Sequence, residues 1–433
     1  MIYPARALEA LVDRRGSTAL DALLVAALAG YVVLFLAVRG GTNACLLALF
    51  LLALLSWIWQ PATIGAAWRL PGSWMMVAAL SSVFMAAIIA KLLRGGIDYI
   101  DLDGPSRFWV AALVMLLLTA KRVQFVRIFA TALPFATLAA LVAVFLHTDT
   151  NNRWNGRFAT SFVDPNTLGS YAVILTFLTL LTVASAGDNS PWRRTLPWLG
   201  AAAGLLLAMF AASRGAWLAI PPLAALWLYF RARHGIPRLA WQGLVVLGIV
   251  ILIVVAVPEV ALRGVVGGQD VRDWVDGSNP VTPAGHRLSI WKLGLQLFAA
   301  SPLVGYGWSN VASQLARPEF ATAAPAEILY ILAEGGPHND LLTLALSHGV
   351  FGIAAYAALL FLPMAFFWRR LRTATGDARL ACELGVCYTA GVMVCGLTNE
   401  MLSLKYLCSF YGLTVAGLAA QVLGADPATS KPA

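Results

Sequence analysis

Long hydrophobic runs follow one another along this chain, separated by short polar segments. Many runs reach about 18 residues, which is long enough for an α-helix to cross the hydrocarbon core of a bilayer. Backbone groups inside lipid must be hydrogen-bonded within the protein, so these runs are expected to be helices. The pattern predicts an all-α polytopic membrane protein.

About twelve candidate transmembrane spans can be counted in this pattern. They cover residues 18–37, 43–60, 71–93, 107–120, 123–147, 167–187, 195–213, 215–231, 239–262, 349–368, 379–398 and 403–423. No repeat and no separate soluble domain interrupts them, so residues 1–433 are expected to form a single integral membrane domain.

The composition supports this interpretation and gives an orientation. Of the 433 residues, 60% are hydrophobic and 12% are charged, whereas a soluble chain carries roughly 25% charged residues. Arginine and lysine concentrate in one set of alternate loops, and most carboxylates lie in the other set. This positive-inside pattern places both termini in the cytoplasm. It also explains the formal net charge of +9 without a nucleic-acid partner.

One long loop, residues 263–337, is expected on the opposite, non-cytoplasmic side. Within it lies the segment GHRLSIWKLGLQLFAAS, in which Leu288, Trp291, Leu295 and Phe298 recur at helical spacing. That spacing predicts an amphipathic helix. Such a helix is expected to lie on the membrane surface and to contact membrane lipids.

Several cationic groups are predicted on this outer side, where the positive-inside pattern does not explain them. They are Arg153 and Arg157 in NNRWNGRFATSFVDPNTLGSY, Arg214 in SRGA, Arg287 in GHRLSIW and His338 in EGGPHNDLLTL. The planar fork of arginine matches phosphate oxygens, and histidine can accept a proton near neutral pH. Their combination at a lipid surface favours binding of a lipid-linked phosphate or diphosphate.

Each candidate also has a structural interpretation. Asp164 and Pro165 are typical of a helix N-cap followed by a first-turn proline. Arg214 and Arg287 can reach lipid headgroups with their long side chains, and His338 can cap its helix. The histidines and cysteines lack the spacing of metal ligands, and no nucleotide-type glycine loop is present. Neither a metal nor another cofactor is expected.

The order of these motifs resembles the bacterial O-antigen ligase and polymerase superfamily. The resemblance rests on RFATSFVDPNTLGSY, SRGAWLA, GHRLSIWKLGLQLFAASPLVGYGWSN and HNDLLTLALSHGVFG, in that order. It implies a twelve-helix protein of the bacterial inner membrane with a large periplasmic loop and an active site that faces the periplasm. It also implies glycan transfer from an undecaprenyl diphosphate carrier, which in O-antigen ligases is directed to a sugar of the lipid A–core.

The resemblance also implies roles for individual residues. His338 matches the family's essential histidine, Arg214 the arginine of SRG, and Arg287 the arginine at the head of the loop helix. Arg157 lies in a less regular region. Further candidates for substrate binding are Arg153, Asp164, Asn166, Asn339 and Asp340. Asp340 would either cap its helix or orient the imidazole of His338, and His338 would either act as a base or position the acceptor.

Three functions remain open at this point. The first is an O-antigen ligase, a metal-independent glycosyltransferase. The second keeps the chemistry and changes the acceptor, as in an O-antigen polymerase or a protein O-oligosaccharyltransferase. The third is a flippase or transporter of lipid-linked glycan, although a transporter would keep charges near mid-membrane, and most charges here lie at the ends of spans.

The predicted orientation can be tested by cysteine labelling in intact cells. Cysteines placed at Ser278 and Gln314, in the long loop, should react with an impermeant thiol reagent. A cysteine at Gly376, in a predicted cytoplasmic loop, should stay unlabelled. The protein with only its native cysteines is the control, and labelling at Gly376 would contradict the orientation.

Overall fold

A computed structural model describes residues 19–95, 99–146, 154, 156–183, 191–233, 248, 258–279 and 281–425. The regular secondary structure of these residues is helical, and no strand occurs among them. The predicted all-α polytopic class is confirmed.

The described helices vary in length from single turns to transmembrane size. In chain order they are α1 (Ala19–Val33), α2 (Gly41–Trp59), α3 (Pro61–Trp68), α4 (Ser73–Arg94), α5 (Ile100–Ala120), α6 (Phe125–Leu146), α7 (Pro165–Thr182), α8 (Pro191–Ala211), α9 (Arg214–Trp217), α10 (Ile220–Arg233), α11 (Pro258–Val275), α12 (Pro283–Ala300), α13 (Val311–Leu315), α14 (Pro318–Ala321), α15 (Ala326–Gly335), α16 (Asp340–Arg370), α17 (Gly376–Gly396) and α18 (Lys405–Gly424).

Within the described residues, nine helices are long and apolar enough to cross a membrane. They are α2, α4 to α8 and α16 to α18, and they correspond to nine of the predicted spans. The first predicted span is matched by α1, which has only 15 residues. The eighth is divided between α9 and α10, and most of the ninth lies outside the described residues. The count of twelve therefore stays a prediction.

The described residues divide into two compact units. The first takes its described residues from the ranges 1–86, 102–223 and 354–433, and the second from 87–101 and 224–353. In the first unit, α7 packs against α6, α8 and α17, and α18 is almost entirely buried.

Small residues allow close helix contacts in the first unit. Gly200 of α8 faces Pro134 of α6, and an added Cβ at Gly200 would lie 2.5 Å from the Pro134 Cα atom. The same contact includes a hydrogen bond from the Thr137 hydroxyl to the Gly200 carbonyl oxygen at 2.7 Å. Helices in lipid rely on such close packing, because lipid tails offer no hydrophobic driving force between them.

The core of the second unit forms around α12. Its buried side chains are Ile290, Leu293 and Leu297, which pack with residues of α15 and of the first turns of α16. The helix itself is confirmed. Its protein-buried side chains differ from the stripe that was predicted to meet the membrane surface, and Leu295 of that stripe is 61% exposed. Helix α11 runs through position 263, where the long loop was expected to begin.

Helix α16 is broken once along its length. Gly349 has a φ of 62° and a ψ of −143°, which interrupts the helix. Glycine tolerates this left-handed backbone because it has no Cβ atom. The residues before the break, 340–348, form a separate half-helix within the second unit.

The close contact at Gly200 generates a stability prediction. Gly200→Ala should lower the free energy of unfolding by about 1 to 3 kcal/mol, the usual effect of overpacking. Gly65→Ala is the control, because Gly65 is an exposed helical residue with nothing near its missing Cβ atom. It should raise stability by up to about 1 kcal/mol through helix propensity. Thermal unfolding of both variants in detergent checks this, and equal shifts would contradict the packing.

Candidate active site

The predicted site residues of the first unit are Arg157, Asp164, Asn166 and Arg214. Arg157 is half-buried, and its guanidinium group has two fixed contacts. Its Nε atom donates to the Ala211 carbonyl oxygen at 2.9 Å, and its Nη2 atom donates to Asn166 Oδ1 at 2.7 Å. Asn166 thus orients Arg157.

Asp164 and Pro165 begin α7 as the sequence predicted. The Asp164 side chain is the N-cap and accepts hydrogen bonds from the backbone nitrogens of Asn166 and Thr167 at 2.8 and 3.2 Å. Pro165 occupies the first turn, where its missing N–H group is not needed. The cap holds Asn166 at the helix start, where it meets Arg157.

Arg214 follows a strained turn. Helix α8 ends at Ala211, and Ala212 has a φ of 47°, which is unusual for a residue other than glycine. Ser213 is buried, and its Oγ atom lies 3.5 Å from Asn166 Oδ1. The turn therefore brings Arg214, the first residue of α9, to the segment that holds Arg157.

Two buried polar residues of the same unit were missed at the sequence level. Asn399 donates from Nδ2 to Thr167 Oγ1 at 3.2 Å, next to the α7 cap. Glu400 is 8% exposed and accepts a hydrogen bond from the Ser403 hydroxyl at 2.8 Å. The triplet TNE, which lies between two apolar runs, could have indicated these residues, because polar side chains in such a place need buried partners.

His338 lies in the second unit in an unusual backbone conformation. Its φ is 50°, in the left-handed region that few non-glycine residues occupy. Such a conformation costs about 1 to 3 kcal/mol and is concentrated at functional sites. The preceding Pro337 carbonyl oxygen accepts a hydrogen bond from Trp291 Nε1 at 3.0 Å, which fixes the chain just before His338.

Asn339 caps the half-helix that follows His338. Its Oδ1 atom accepts from the backbone nitrogen of Leu342 at 3.0 Å. The sequence had left Asp340 as either the cap or a partner of the imidazole. The structure assigns the cap to Asn339, and Asp340 is the buried first residue of the helix.

Helix α12 runs in the same direction as the half-helix. Trp291 contacts Pro337, and further along an added Cβ at Gly294 would lie 2.7 Å from Leu342 Cδ2. Arg287 lies four residues before Trp291 on the same helix face, about 6 Å along the axis. Arg287 and His338 therefore lie toward the same end of this helix pair.

An apolar groove opens beside the two helices. Its volume is about 260 Å³. It is lined by Trp291, Leu295, Phe298, Asn339, Leu341, Leu342, Ala345 and Ile353. Trp291, Leu295 and Phe298, three of the four side chains predicted to face the membrane surface, form one wall of this groove.

Arg153, the remaining predicted site residue, lies outside the described residues. In the parts of the chain that the structure describes, no group of three or more His, Cys, Asp or Glu side chains is arranged to hold a metal ion. The roles of all nine predicted site residues remain predictions that their contacts help to define.

A comparison with protein families supports the predicted resemblance. The family model described as O-antigen ligase matches residues 198–357. This range contains Arg214, Arg287 and His338, whereas Arg157 and Asp164 precede it. A comparison with curated proteins finds no match for this chain.

The cap of the half-helix can be tested by substitution of Asn339. Asn339→Ala removes the oxygen that accepts from Leu342 and should destabilise the protein by about 1 kcal/mol. Asn339→Asp keeps a capping oxygen and should retain stability. The measurement is thermal unfolding in detergent, and an alanine variant as stable as the aspartate variant would contradict the capping role.

Proposed function

Because residues 198–357 match the O-antigen ligase family, we propose that this chain is a member of that superfamily and transfers O-antigen glycan from undecaprenyl diphosphate to a lipid A–core sugar. The observation that carries the proposal is the placement of His338. It lies in a strained conformation at the head of a capped half-helix, beside the helix that carries Arg287. Strain of this kind persists where the surrounding structure enforces it.

The arginines bind the diphosphate of the donor. Arg214, Arg287 and Arg157 each offer a planar fork of N–H donors, which suits phosphate oxygens better than a point charge does. Asn166 holds the Arg157 fork at 2.7 Å, so this group is oriented before any ligand arrives. During transfer, these groups stabilise the negative charge that develops on the leaving diphosphate.

His338 acts as the general base. It accepts the proton of an acceptor hydroxyl, whose oxygen attacks the anomeric carbon of the lipid-linked glycan. The new glycosidic bond forms as the bond between that carbon and the diphosphate oxygen breaks, and undecaprenyl diphosphate leaves with the electron pair. The glycosyl diphosphate bond supplies the energy, so neither a nucleotide nor a metal is required.

The apolar groove supports a lipid-linked substrate. Apart from Asn339 its lining is hydrophobic, so it suits an isoprenoid or acyl chain. Asn339 follows His338 directly, which would bring the polar end of such a lipid to the base. In the cell, we place the protein in the bacterial inner membrane, with both termini cytoplasmic and the active site facing the periplasm.

Reconstitution tests the proposed reaction. Purified protein is incubated with undecaprenyl-diphosphate glycan and rough lipopolysaccharide, with and without EDTA. Capped lipopolysaccharide in both samples is the expected product. Longer glycan on the lipid carrier would instead identify a polymerase, and movement of intact donor across vesicles without transfer would identify a flippase. Loss of transfer in EDTA, restored by magnesium, would contradict the metal-independent mechanism.

Substitution of His338 separates a base from a structural residue. A positioned general base contributes about 10² to 10⁴ in rate, so His338→Ala should lose nearly all transfer while the protein still folds. His338→Asn also tolerates the left-handed backbone but is not a useful base at neutral pH, and it should be equally inactive. Transfer rate and thermal stability are measured together, and near-normal turnover of the asparagine variant would overturn the assignment.

Lysine substitutions test the arginine forks. Arg287→Lys and Arg214→Lys keep the charge and lose the planar geometry. Both should reduce transfer about tenfold or more, because a hydrogen bond to a charged group contributes about 1.5 to 3 kcal/mol and about 1.4 kcal/mol corresponds to tenfold in rate. Arg127→Lys is the control, because Arg127 is exposed and pairs with Asp377 at 2.8 Å. Full activity of both site variants would contradict diphosphate binding and would show that these arginines only contact lipid headgroups.

A further inference from the structure

The break in α16 leaves backbone groups without helical partners, and the segment 302–307 supplies them. The carbonyl oxygens of Leu346 and Ser347 accept from the backbone nitrogens of Tyr306 and Gly307 at 2.8 and 2.9 Å. On the other side of the break, the Val350 nitrogen donates to the Pro302 carbonyl oxygen at 2.8 Å. The segment 302–307 is thus fastened to the end of the half-helix.

This fastening depends on close contact between two backbones. An added Cβ at Gly305 would lie 2.8 Å from the backbone nitrogens of His348 and Gly349. Gly305, Gly307 and Gly349 also have positive φ angles of 60°, 82° and 62°. Glycine is required at these positions by both the space and the backbone conformation.

Arg94, at the end of α4, connects the segment 302–307 to the half-helix. Its Nη1 atom donates to the carbonyl oxygen of Val304 and to that of Ser347, the second at 2.9 Å. One guanidinium group therefore bridges the 302–307 segment and the last residues of the half-helix. Lysine has a single nitrogen on a flexible stem and does not reproduce a rigid fork.

Asp101 holds this guanidinium group in place. Asp101 Oδ2 lies 4.0 Å from Arg94 Nη2 and 3.3 Å from Lys91 Nζ. Asp101 and Lys91 are 4% and 7% exposed, so the charges are largely removed from water. Buried ions of this kind depend on each other, because removing one partner leaves an uncompensated charge.

The same segment is tied back to α12. The Tyr306 hydroxyl donates to the Leu297 carbonyl oxygen, near the end of α12, at 2.9 Å. Burial raises the pKa of Tyr306, so the hydroxyl keeps the proton that it donates. Helix α12 and the half-helix are therefore connected at both ends. Trp291 contacts Pro337 at one end. At the other end the segment 302–307 bonds to α12 through Tyr306 and to the half-helix directly and through Arg94.

We propose that Arg94 is a positioning residue for glycan transfer: it bridges Val304 and Ser347 and so fixes His338 relative to Arg287. The half-helix is a rigid connection, because nine residues span only about 13 Å. Movement at its Ser347 end is therefore transmitted to the His338 end. The proposal rests on the proposed transferase function, but the clamp itself can be measured without transfer.

Two readouts test this role in the full-length protein. Nitroxide labels at Leu295 and Leu341, which are 61% and 39% exposed on the walls of the groove, report the separation of the two helices. Transfer kinetics report kcat and the KM for the donor. The variants are Arg94→Gln and the milder Arg94→Lys, which covers the case in which the glutamine variant does not fold.

Arg107→Gln is the matched control. Its side chain is 19% exposed against 17% for Arg94, and it pairs with Asp103 at 2.8 Å in the first unit. Both Arg94 variants should broaden the label distances and lower kcat about 10- to 100-fold, the usual effect of a misplaced reacting group. The KM for the donor should stay within about twofold, because Arg287 remains on its own packed helix. The control should change neither readout.

Several results would overturn the proposal. Label distances that stay unchanged in both Arg94 variants would show that Arg94 does not hold the half-helix, whatever the activity. Shifted distances with normal kcat would show that the clamp does not position His338. A raised KM with normal kcat would assign Arg94 to donor binding. Because the label readout needs no substrate, it separates failure of the clamp from failure of the proposed transfer.

Discussion

A helix broken inside a membrane protein must find new partners for its freed backbone groups, and the second unit is built around this constraint. At Gly349 the partners come from the segment 302–307 and from the Arg94 guanidinium group. Non-helical backbone at membrane depth is tolerated only where protein or a water-filled cavity surrounds it. The break separates a short half-helix from the rest of α16, and the head of that half-helix carries His338.

The same constraint explains why the fold was readily predicted and why its details were not. Backbone groups in lipid must be hydrogen-bonded within the protein, so apolar runs are expected to form helices. Nine of these runs are described helices of membrane length. The spacing predicted α12 but not which of its side chains form the core of the second unit. It picked out the stripe with Leu295, whereas Ile290 and Leu293 are buried. Both sets recur at helical spacing, so periodicity alone does not separate a face that packs in the protein from a face that meets lipid.

The residues of the candidate site could be proposed from the sequence, but the contacts that surround them could not. His338, Arg214 and Arg287 were found as polar groups at the ends of apolar runs. The contacts around the candidate site join distant parts of the chain. Arg94 and Ser347 are 253 positions apart. The Asn399 contact with Thr167, beside the α7 cap, spans 232 positions in the first unit. Pairing over such distances leaves no local pattern, whereas the Asp164 cap, which is local, was predicted and confirmed.

We propose that transfer is a single displacement, in which His338 removes the acceptor proton as the diphosphate leaves. The configuration of the new glycosidic bond tests this mechanism and is measured by nuclear magnetic resonance on product made from a donor of known anomeric configuration. A single displacement should invert the anomeric carbon. Retention of configuration would contradict it, since retention requires two displacements and a covalent glycosyl-enzyme intermediate.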